Sequence, residues 1–202
     1  MAKTTRIRMI ETTLRLIQAR GLHGVSLNDI LGESGAPRGS LYFHFPGGKE
    51  ALVLGAMQSG IEEASRILQE SLTDAASPAE GVRSFFRAAA SEMTDSEYTF
   101  GCPVAPIILD APDVSTELAT ACRAALEEWT SMYQHSLEAA GLSPARAGRL
   151  ARMIVASLEG ALIMARSQRA SPIITEVGDE VADLISTALS RPKAKRRKST
   201  AG

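Results

Sequence analysis

The stretch GAPRGSLYFHFPGGKE, residues 35–50, decides the fold because it combines a tight turn with a short helix. Gly35 permits a close connection between two helices. Pro37 suits the start of a helix, where its missing N–H costs nothing. The helix cannot continue past Pro46, so we expect it to span about 38–44.

A second short helix is predicted directly before this turn. Ser26 followed by Asp29 is typical of an N-cap with an acid in the first turn, and the helix should run through Ser34. A longer first helix, ending before Gly21, carries an apolar stripe at spacings of three and four. The stripe consists of Ile7, Ile10, Leu14 and Ile17, and five later residues should face the same core: Leu27, Ile30, Leu31, Leu41 and Phe45. Three such helices describe a helix-turn-helix.

The outward face of the 38–44 helix has the chemistry of a DNA-reading surface. It carries Arg38, Gly39, Ser40, Tyr42, Phe43 and His44. Arg38 can bond guanine bidentately in the major groove, Gly39 lets the backbone come close, and the hydroxyl and imidazole groups offer hydrogen bonds. Lys49, near the start of the next helix, adds a cation beside free N–H groups for a phosphate. Each residue alone could be ordinary surface; the combination favours DNA binding.

The rest of the chain also reads as helix, without strand-like alternation. We predict helices that end near 96, 140 and 170, and a last helix over about 175–190. A short apolar stretch lies at 104–109. These segments are separated by breaks at Ser77-Pro78, 100–103, 111–113, 141–144 and Ser171-Pro172. We therefore expect an all-α protein with three parts. Residues 1–48 would form the helix-turn-helix DNA-binding domain, 49–190 a larger helical effector-binding and dimerisation domain, and 191–202 a basic disordered tail.

Charge is distributed unevenly along the chain. Residues 1–55 hold seven cations and four acids, residues 56–190 nine cations and nineteen acids, and residues 191–202 six cations and no acid. A basic head on an acidic body favours contact of the head with a polyanion, and the tail could add phosphate attraction or only solubility. The sequence shows no signal peptide and no apolar run of membrane-spanning length, so we expect a cytoplasmic protein whose Cys102 and Cys122 are reduced, buried thiols.

Residues 4–57 resemble the DNA-binding domain of the TetR family of transcriptional repressors, through Gly-x-x-Gly-Val-Ser, Gly-Ala-Pro, Ser-Leu-Tyr-x-His-Phe-Pro and Lys-Glu. The resemblance implies base-edge contacts by Asn28, Arg38, Gly39, Ser40 and Phe43, and phosphate contacts by Ser26, Tyr42, His44 and Lys49. One departure is that two glycines, at 47 and 48, separate the proline from the lysine. The stretches GCPVAPIILDAP and SLEGALIMARSQRASPI look like the LmrA-like subgroup, typified by regulators of drug-export and flavonoid-responsive genes.

A dimer is expected, since a lone helix-turn-helix reads few base pairs and two-fold pairing doubles the site. The segment 151–167 is apolar nearly all round, with small residues at 156, 157, 160 and 161. The resemblance implies that the last two helices form a four-helix dimer interface and that the protein is a ligand-responsive repressor. Burial of this segment inside a monomer is the alternative. An effector would act through the fourth helix, which is expected to begin near Lys49 and to join the effector pocket to the DNA-binding domain.

The body also carries the residues for an effector pocket. The candidates are Phe85, Phe86, Met93, Phe100, Cys102, Trp129, Met132, Tyr133, Met153, Glu159 and Met164. Pliable methionine and aromatic walls suit an apolar, planar ligand, although the same residues could be plain core. No cofactor motif or metal-ligand spacing is present. An all-α carrier or an enzyme, with Cys102 as nucleophile or Glu159 as a buried acid, is the alternative function.

Overall fold

The computed structural model describes residues 4–99, 101–110 and 115–190, and this part of the chain contains nine helices and no strand. The helices are α1 (Thr5–Arg20), α2 (Leu27–Ser34), α3 (Arg38–His44), α4 (Gly48–Thr73), α5 (Pro78–Asp95), α6 (Ala105–Leu109), α7 (Thr116–Ala139), α8 (Pro144–Gln168) and α9 (Pro172–Ser190). The all-α fold class is confirmed. The predicted tail, Phe100 and the predicted break at 111–113 lie outside the described residues.

Helices α1–α3 form the head. The hydroxyl of Thr4 caps α1 by accepting a hydrogen bond from the Ile7 N–H. The predicted apolar stripe is wrong in its first turn, because Ile7 is 42% exposed and Met9 is the first fully buried apolar residue of α1. The inward face therefore begins at Met9 and continues through Leu16 and Ile17 toward α2 and α4.

Helix α4 connects the head to the larger helical body, which comprises α5–α9. It packs on α1, α5 and α7, and Gly55 lies against Phe45 at the end of α3. At Gly60 an added Cβ would lie 2.8 Å from Pro103 and 3.0 Å from Leu14, so α1, α4 and the chain before α6 meet there. Because α4 runs without a break from head to body, the division after residue 48 stays a prediction.

The body is a layered bundle in which α5 packs on α4 and α9, and α8 packs on α7 and α9. The last helix begins at Pro172, three residues before the predicted start, because proline fits the first turn of a helix without losing a hydrogen bond. Helix α8 ends at Gln168, where Arg169 takes a left-handed conformation with φ of 49°. None of the described helices has the length and apolarity of a membrane span.

Helices α5 and α9 lie very close together at Gly178. A Cβ built on this glycine would lie 2.6 Å from the Cβ of Phe86, whose side chain is fully buried. The guanidinium of Arg83 joins the same two helices by ion pairs with Asp179 and Asp183. The packing of the body therefore depends on the absence of a side chain at residue 178.

Replacing Gly178 by alanine should lower the free energy of unfolding by about 1–3 kcal/mol, since the methyl group would overpack α5 against α9. Gly32→Ala is the matched control, because a Cβ on this helical glycine meets nothing within 4 Å. Alanine there should raise stability by up to about 1 kcal/mol through helix propensity. Urea unfolding of the full chain measures both; equal effects would contradict the packing account.

Candidate nucleic-acid interface and internal cavity

A reciprocal capping box fixes the start of α2. The Ser26 hydroxyl accepts a hydrogen bond from the Asp29 N–H at 3.2 Å, and the Asp29 carboxylate accepts one from the Ser26 N–H at 2.8 Å. The hydrogen bonds from Ser26 hold the pKa of Asp29 below its usual value. At the other end Gly35 has φ of 62°, a left-handed conformation that favours glycine, and the chain turns directly into α3.

Helix α3 has one buried and one exposed face. Leu41 is fully buried, and Phe45, at the end of the helix, is 4% exposed, so these two side chains pin the helix to the head. On the other face Tyr42 is 62% and Phe43 80% exposed, and the Phe43 ring contacts the His44 ring edge-on. Large exposed aromatic rings that adjoin one another on a small helix are typical of a binding surface.

Arg38 is tied to the start of α2. Its guanidinium donates a hydrogen bond to the side-chain oxygen of Asn28 at 2.8 Å, which joins the N-terminal ends of α2 and α3 at the surface. A Cβ on the neighbouring Gly39 would meet nothing within 4 Å, so the protein's own packing does not require glycine there. The bare backbone at Gly39 and the positioned Arg38 leave room for close approach of an external partner.

The start of α4 lies beside this surface and has the features of an anion site. Gly47 provides no side-chain cap, and although the Gly48 N–H donates to the Phe45 carbonyl at 2.9 Å, the N–H groups that follow it have no side-chain cap; Lys49 is the second residue of the helix. The second glycine has a structural reason: Gly48 has φ of 66°, and a Cβ on it would lie 3.8 Å from the Tyr42 ring.

All nine residues predicted for DNA contact lie at the start of α2, in α3 or at the start of α4. Six are exposed: Ser26, Asn28, Arg38, Gly39, Tyr42 and Phe43. Three are half-buried: Ser40, His44 and Lys49. The structure brings Asn28 and Arg38 into direct contact, and the nine residues lie on neighbouring elements of the head.

A polar clamp, which the sequence did not predict, joins the head to the body. Arg166 of α8 donates hydrogen bonds of 2.6 Å to the backbone carbonyls of Gln18 and Ala19, near the end of α1. The Gln18 side chain in turn donates to the carbonyl of Gly101 at 2.6 Å. The carbonyls of Gln18 and Ala19 belong to the last turn of α1, where carbonyls have no hydrogen-bond partner within the helix. The helix dipole also favours a cation at this end of the helix.

A second polar contact between the head and the body lies at the end of α6. The Asp110 carboxylate accepts hydrogen bonds from the backbone N–H groups of Leu22 at 2.6 Å and His23 at 3.3 Å. The turn between α1 and α2 is therefore fixed to the body on both sides. No local sequence signal could have found these contacts, since the partners are 83 to 148 residues apart.

A small, partly open cavity, which we call the internal cavity, lies between α4, α5, α7 and α8 and has a volume of about 60 Å³. Five of the predicted pocket residues line it: Phe85, Cys102, Trp129, Tyr133 and Glu159. The remaining lining residues are apolar and come from α4, α5 and α8, with Pro103 before α6. An empty space of this size holds about two waters, well below the roughly 300–1,000 Å³ of a ligand-filled pocket.

Five other residues predicted for an effector pocket do not line this cavity. Phe86 and Met93 are fully buried core, Met132 lines a surface groove beside α4, Met153 lines the outer groove between α8 and α9, and Met164 is 48% exposed. Helix phase is the reason. At 3.6 residues per turn, Met164 lies five residues from Glu159 and points to a different side of α8.

Three of the residues that line this cavity carry polar groups. Within the described residues the hydroxyl of the fully enclosed Tyr133 has no hydrogen-bond partner, and burial raises its pKa. Burial also raises the pKa of Glu159, partly offset by a hydrogen bond with the Cys102 thiol. The Trp129 indole is satisfied by Ser65 at 2.9 Å. The surface of the cavity can thus hold an apolar group, and the unpartnered Tyr133 hydroxyl is buried in its wall.

The environment of Cys102 and the positions of potential metal ligands bear on the alternative functions of catalysis and metal binding. Burial raises the pKa of Cys102, and a protonated thiol is a poor nucleophile. The described residues contain no group of three histidine, cysteine or acidic side chains that could hold a metal ion.

Comparison with known proteins decides the family. Residues 9–56 match the family described as bacterial regulatory proteins, tetR family, and residues 78–180 match the C-terminal domain of LmrA/YxaF-like transcriptional regulators. The HTH-type transcriptional regulator LmrA of Bacillus subtilis is 32% identical over 90% of this chain and 96% of its own. The chain belongs to the TetR family. As a TetR-family protein it is a DNA-binding transcriptional regulator with a helix-turn-helix in α1–α3.

Further relatives and solved structures agree with this fold. The transcriptional repressor DhaR of a Mycobacterium species is 26% identical over 84% of the chain and 86% of its own length. A TetR-family regulator from Legionella pneumophila aligns with a TM-score of 0.82 and 21% identity over 91% of this chain and 98% of its own. A cysteine mutant of CifR, solved with a 26-base-pair operator duplex, aligns with a TM-score of 0.73 and 21% identity over 88% and 94% of the two chains.

Replacing Asp29 by alanine should lower the melting temperature of the full chain at pH 7, because the capping box is lost. The folded pKa of Asp29 lies below its unfolded value, so its contribution is present above the unfolded pKa of about 3.9 and disappears as pH falls through the folded pKa. The difference between the two proteins should therefore shrink in acid. Thermal unfolding followed by circular dichroism across this range measures it; a difference independent of pH would contradict the assignment.

Proposed function

We propose that the chain is a one-component, ligand-responsive repressor that binds a palindromic operator as a homodimer and is released by a small, mainly apolar or aromatic effector. The observation that carries the proposal is the exposed end of the head, where Asn28 holds Arg38 beside the bare backbone of Gly39 and the exposed rings of Tyr42 and Phe43. The name of DhaR as a repressor and the operator complex of CifR support the same function here.

Two classes of DNA contact follow from the positions of the residues. Arg38, Gly39, Ser40 and Phe43 lie at the N-terminal end and outer face of α3, where side chains can reach base edges, and Asn28 orients Arg38. Ser26, Tyr42, His44 and Lys49 flank this face and would contact phosphates on either side of the groove. The first class would set the sequence preference, and the second the affinity for any duplex.

The proposed dimer surface is the outer face of α8 and α9. On α8, Ile163 is 63% and Met164 48% exposed, and Gly160 is exposed with nothing within 4 Å of an added Cβ. On α9, Leu184 is 52% exposed. Small residues beside exposed large apolar ones permit a second helix to approach closely and bury the patch. This exposure favours pairing between subunits over burial of α8 within one subunit.

In such a dimer two copies of α3 would lie about one helical turn of DNA apart, roughly 34–36 Å or a multiple of it. Release of DNA then requires a second conformation in which this separation differs. An effector that binds the second conformation more tightly shifts the population toward it. Helix α4 and the clamp at Arg166 both connect the cavity region to the head, and either can carry the change.

Selection of bound duplexes from a random pool by the purified full chain tests the function. We expect a two-fold palindrome that is bound far more tightly than random DNA, with an affinity that falls steeply as salt rises from 50 to about 200 mM. A carrier or enzyme that uses only the cavity would select no sequence and show a flat salt dependence. That outcome would contradict the proposal.

Alanine substitutions at Arg38 and Lys49 should separate the two classes of contact. Arg38→Ala should relax the preference at one base pair per half-site at a cost of about 1–3 kcal/mol, while Lys49→Ala should weaken all duplexes similarly and reduce the salt slope by about one. Arg123→Ala, an exposed arginine on α7, is the control. Binding to the operator and to single-base variants at two salt concentrations measures this; a uniform loss for Arg38→Ala would refute its base-reading role.

A further inference from the structure

A cleft between the head and the body lies directly beside the internal cavity. Its volume is about 290 Å³, and its walls come from the end of α1, from the chain around α6 and from α8. Three of its wall residues, Cys102, Glu159 and Leu162, also line the internal cavity. The two spaces are therefore separated by a few side chains, chiefly the hydrogen-bonded pair of Glu159 and Cys102.

Neither space alone is a good effector site. The internal cavity, at about 60 Å³, is too small for a drug-sized molecule, whereas the cleft is close to the lower limit of about 300 Å³ and is open to solvent. Together they follow α8 from Val155 to Arg166. At 1.5 Å per residue this path is about 16 Å long, which fits an elongated ligand better than a compact one.

The two ends of this path have different chemistry. At the enclosed end the buried Tyr133 hydroxyl lacks a partner within the described residues, among apolar walls that include Phe85 and Trp129. At the cleft end the guanidinium of Arg166 faces only the neutral carbonyls of Gln18 and Ala19 in its recorded hydrogen bonds. A carboxylate is a stronger acceptor for arginine than a peptide carbonyl, because the hydrogen bond is charge-assisted and can be bidentate.

We propose that the effector is an elongated, mainly apolar monocarboxylic acid that fills the internal cavity and the cleft together, with its carboxylate on Arg166 and a hydrogen-bonding group at the other end on Tyr133. This inference rests on the proposed function only in calling the ligand an effector. The carboxylate takes Arg166 from the end of α1, so that ligand binding directly opens the clamp between body and head.

The acids of the cleft are compatible with an incoming anion. The Asp110 carboxylate is already engaged by the N–H groups of Leu22 and His23. Burial raises the pKa of Glu159, which favours its uncharged form beside the ligand. In contrast, a cationic ligand of the same shape would meet the unneutralised charge of Arg166, and a neutral one would leave the clamp hydrogen bonds without a stronger competitor.

Binding of rigid, elongated biphenyl compounds to the full chain tests the proposal. The main probe is para,para′-hydroxybiphenylcarboxylate; its matched partners are hydroxybiphenylmethanol, which lacks the charge, and biphenylcarboxylate, which lacks the hydroxyl. Trp129 is the single tryptophan of the chain and lines the internal cavity, so its fluorescence reports binding there. We expect the carboxylate rod to bind about tenfold more tightly than the alcohol and to lower the affinity for the operator.

Variants assign the preference to the two ends of the path. Arg166→Gln should abolish the preference for the carboxylate over the alcohol, and Tyr133→Phe should abolish the advantage of the hydroxylated rod over biphenylcarboxylate. Arg152→Gln, at an exposed arginine on the same helix, should retain both. Each comparison is a ratio between two probes on one variant, so a general loss of stability does not imitate it.

The outcomes separate this inference from the proposed function. Equal affinity for acid and alcohol, a preference that survives Arg166→Gln, or binding that leaves Trp129 fluorescence unchanged would overturn the ligand site, even if operator binding is intact. If the chain selects no operator, the proposed regulatory function fails. The ratios between probes then still decide whether this cavity takes a carboxylic acid.

Discussion

Two hydrogen bonds from Arg166 to the last turn of α1 are the constraint on which the relation of head and body depends. The end of a helix presents carbonyls that need partners, and a guanidinium satisfies two of them while complementing the helix dipole. The residue that makes these bonds lies on α8, two turns beyond Glu159 in the cavity wall and next to the outward-facing Ile163 and Met164. One helix therefore touches the cavity, the head and the proposed dimer surface.

In the proposed mechanism the head would transmit a change at the clamp, because caps and buried side chains join its helices. Helix α1 ends at Gly21, directly before the Asp110 contact, and α2 then begins at the capping box of Ser26 and Asp29. Buried side chains at Leu41 and Phe45 fix α3 to this unit. Under the proposed function, a change at the end of α1 would therefore move α2 and α3 together, and with them the surface around Arg38. For a dimeric reader of a palindrome, such a rotation changes the spacing of two surfaces at once.

The head could be predicted from sequence because its signals are local. Ser26 and Asp29 are three residues apart, and Gly35, Pro37 and Pro46 act on their own backbone, so the bounds of α2 and α3 follow without tertiary information. The prediction that Ile7 faces the core was wrong, because periodicity shows which residues share a helix face but not how much of that face is covered by other helices. The extra glycine at 48 was recognised as a departure, and only the backbone angle explains it.

The cavity and the clamp were harder to predict from the sequence, for different reasons. Of the residues predicted from composition for an effector pocket, Trp129, Tyr133 and Glu159 line the cavity, whereas Met153 and Met164 do not, since composition does not give the phase of a helix relative to its neighbours. The clamp depends on pairs such as Arg166 with Gln18, which are remote in sequence and involve backbone carbonyls that carry no residue identity. Contacts of this kind become visible only when the packing of α8 against α1 is known.

The most direct test of the account is the distance between the two heads in solution, measured by pulsed electron resonance between spin labels on Glu50→Cys. This exposed position lies in the first turn of α4, and both natural cysteines are buried, so labelling is selective. We expect a narrow distance distribution for the otherwise unchanged chain, and a shifted or broadened one when Arg166→Gln is added. The absence of any dipolar coupling, or identical distributions in the two proteins, would contradict it.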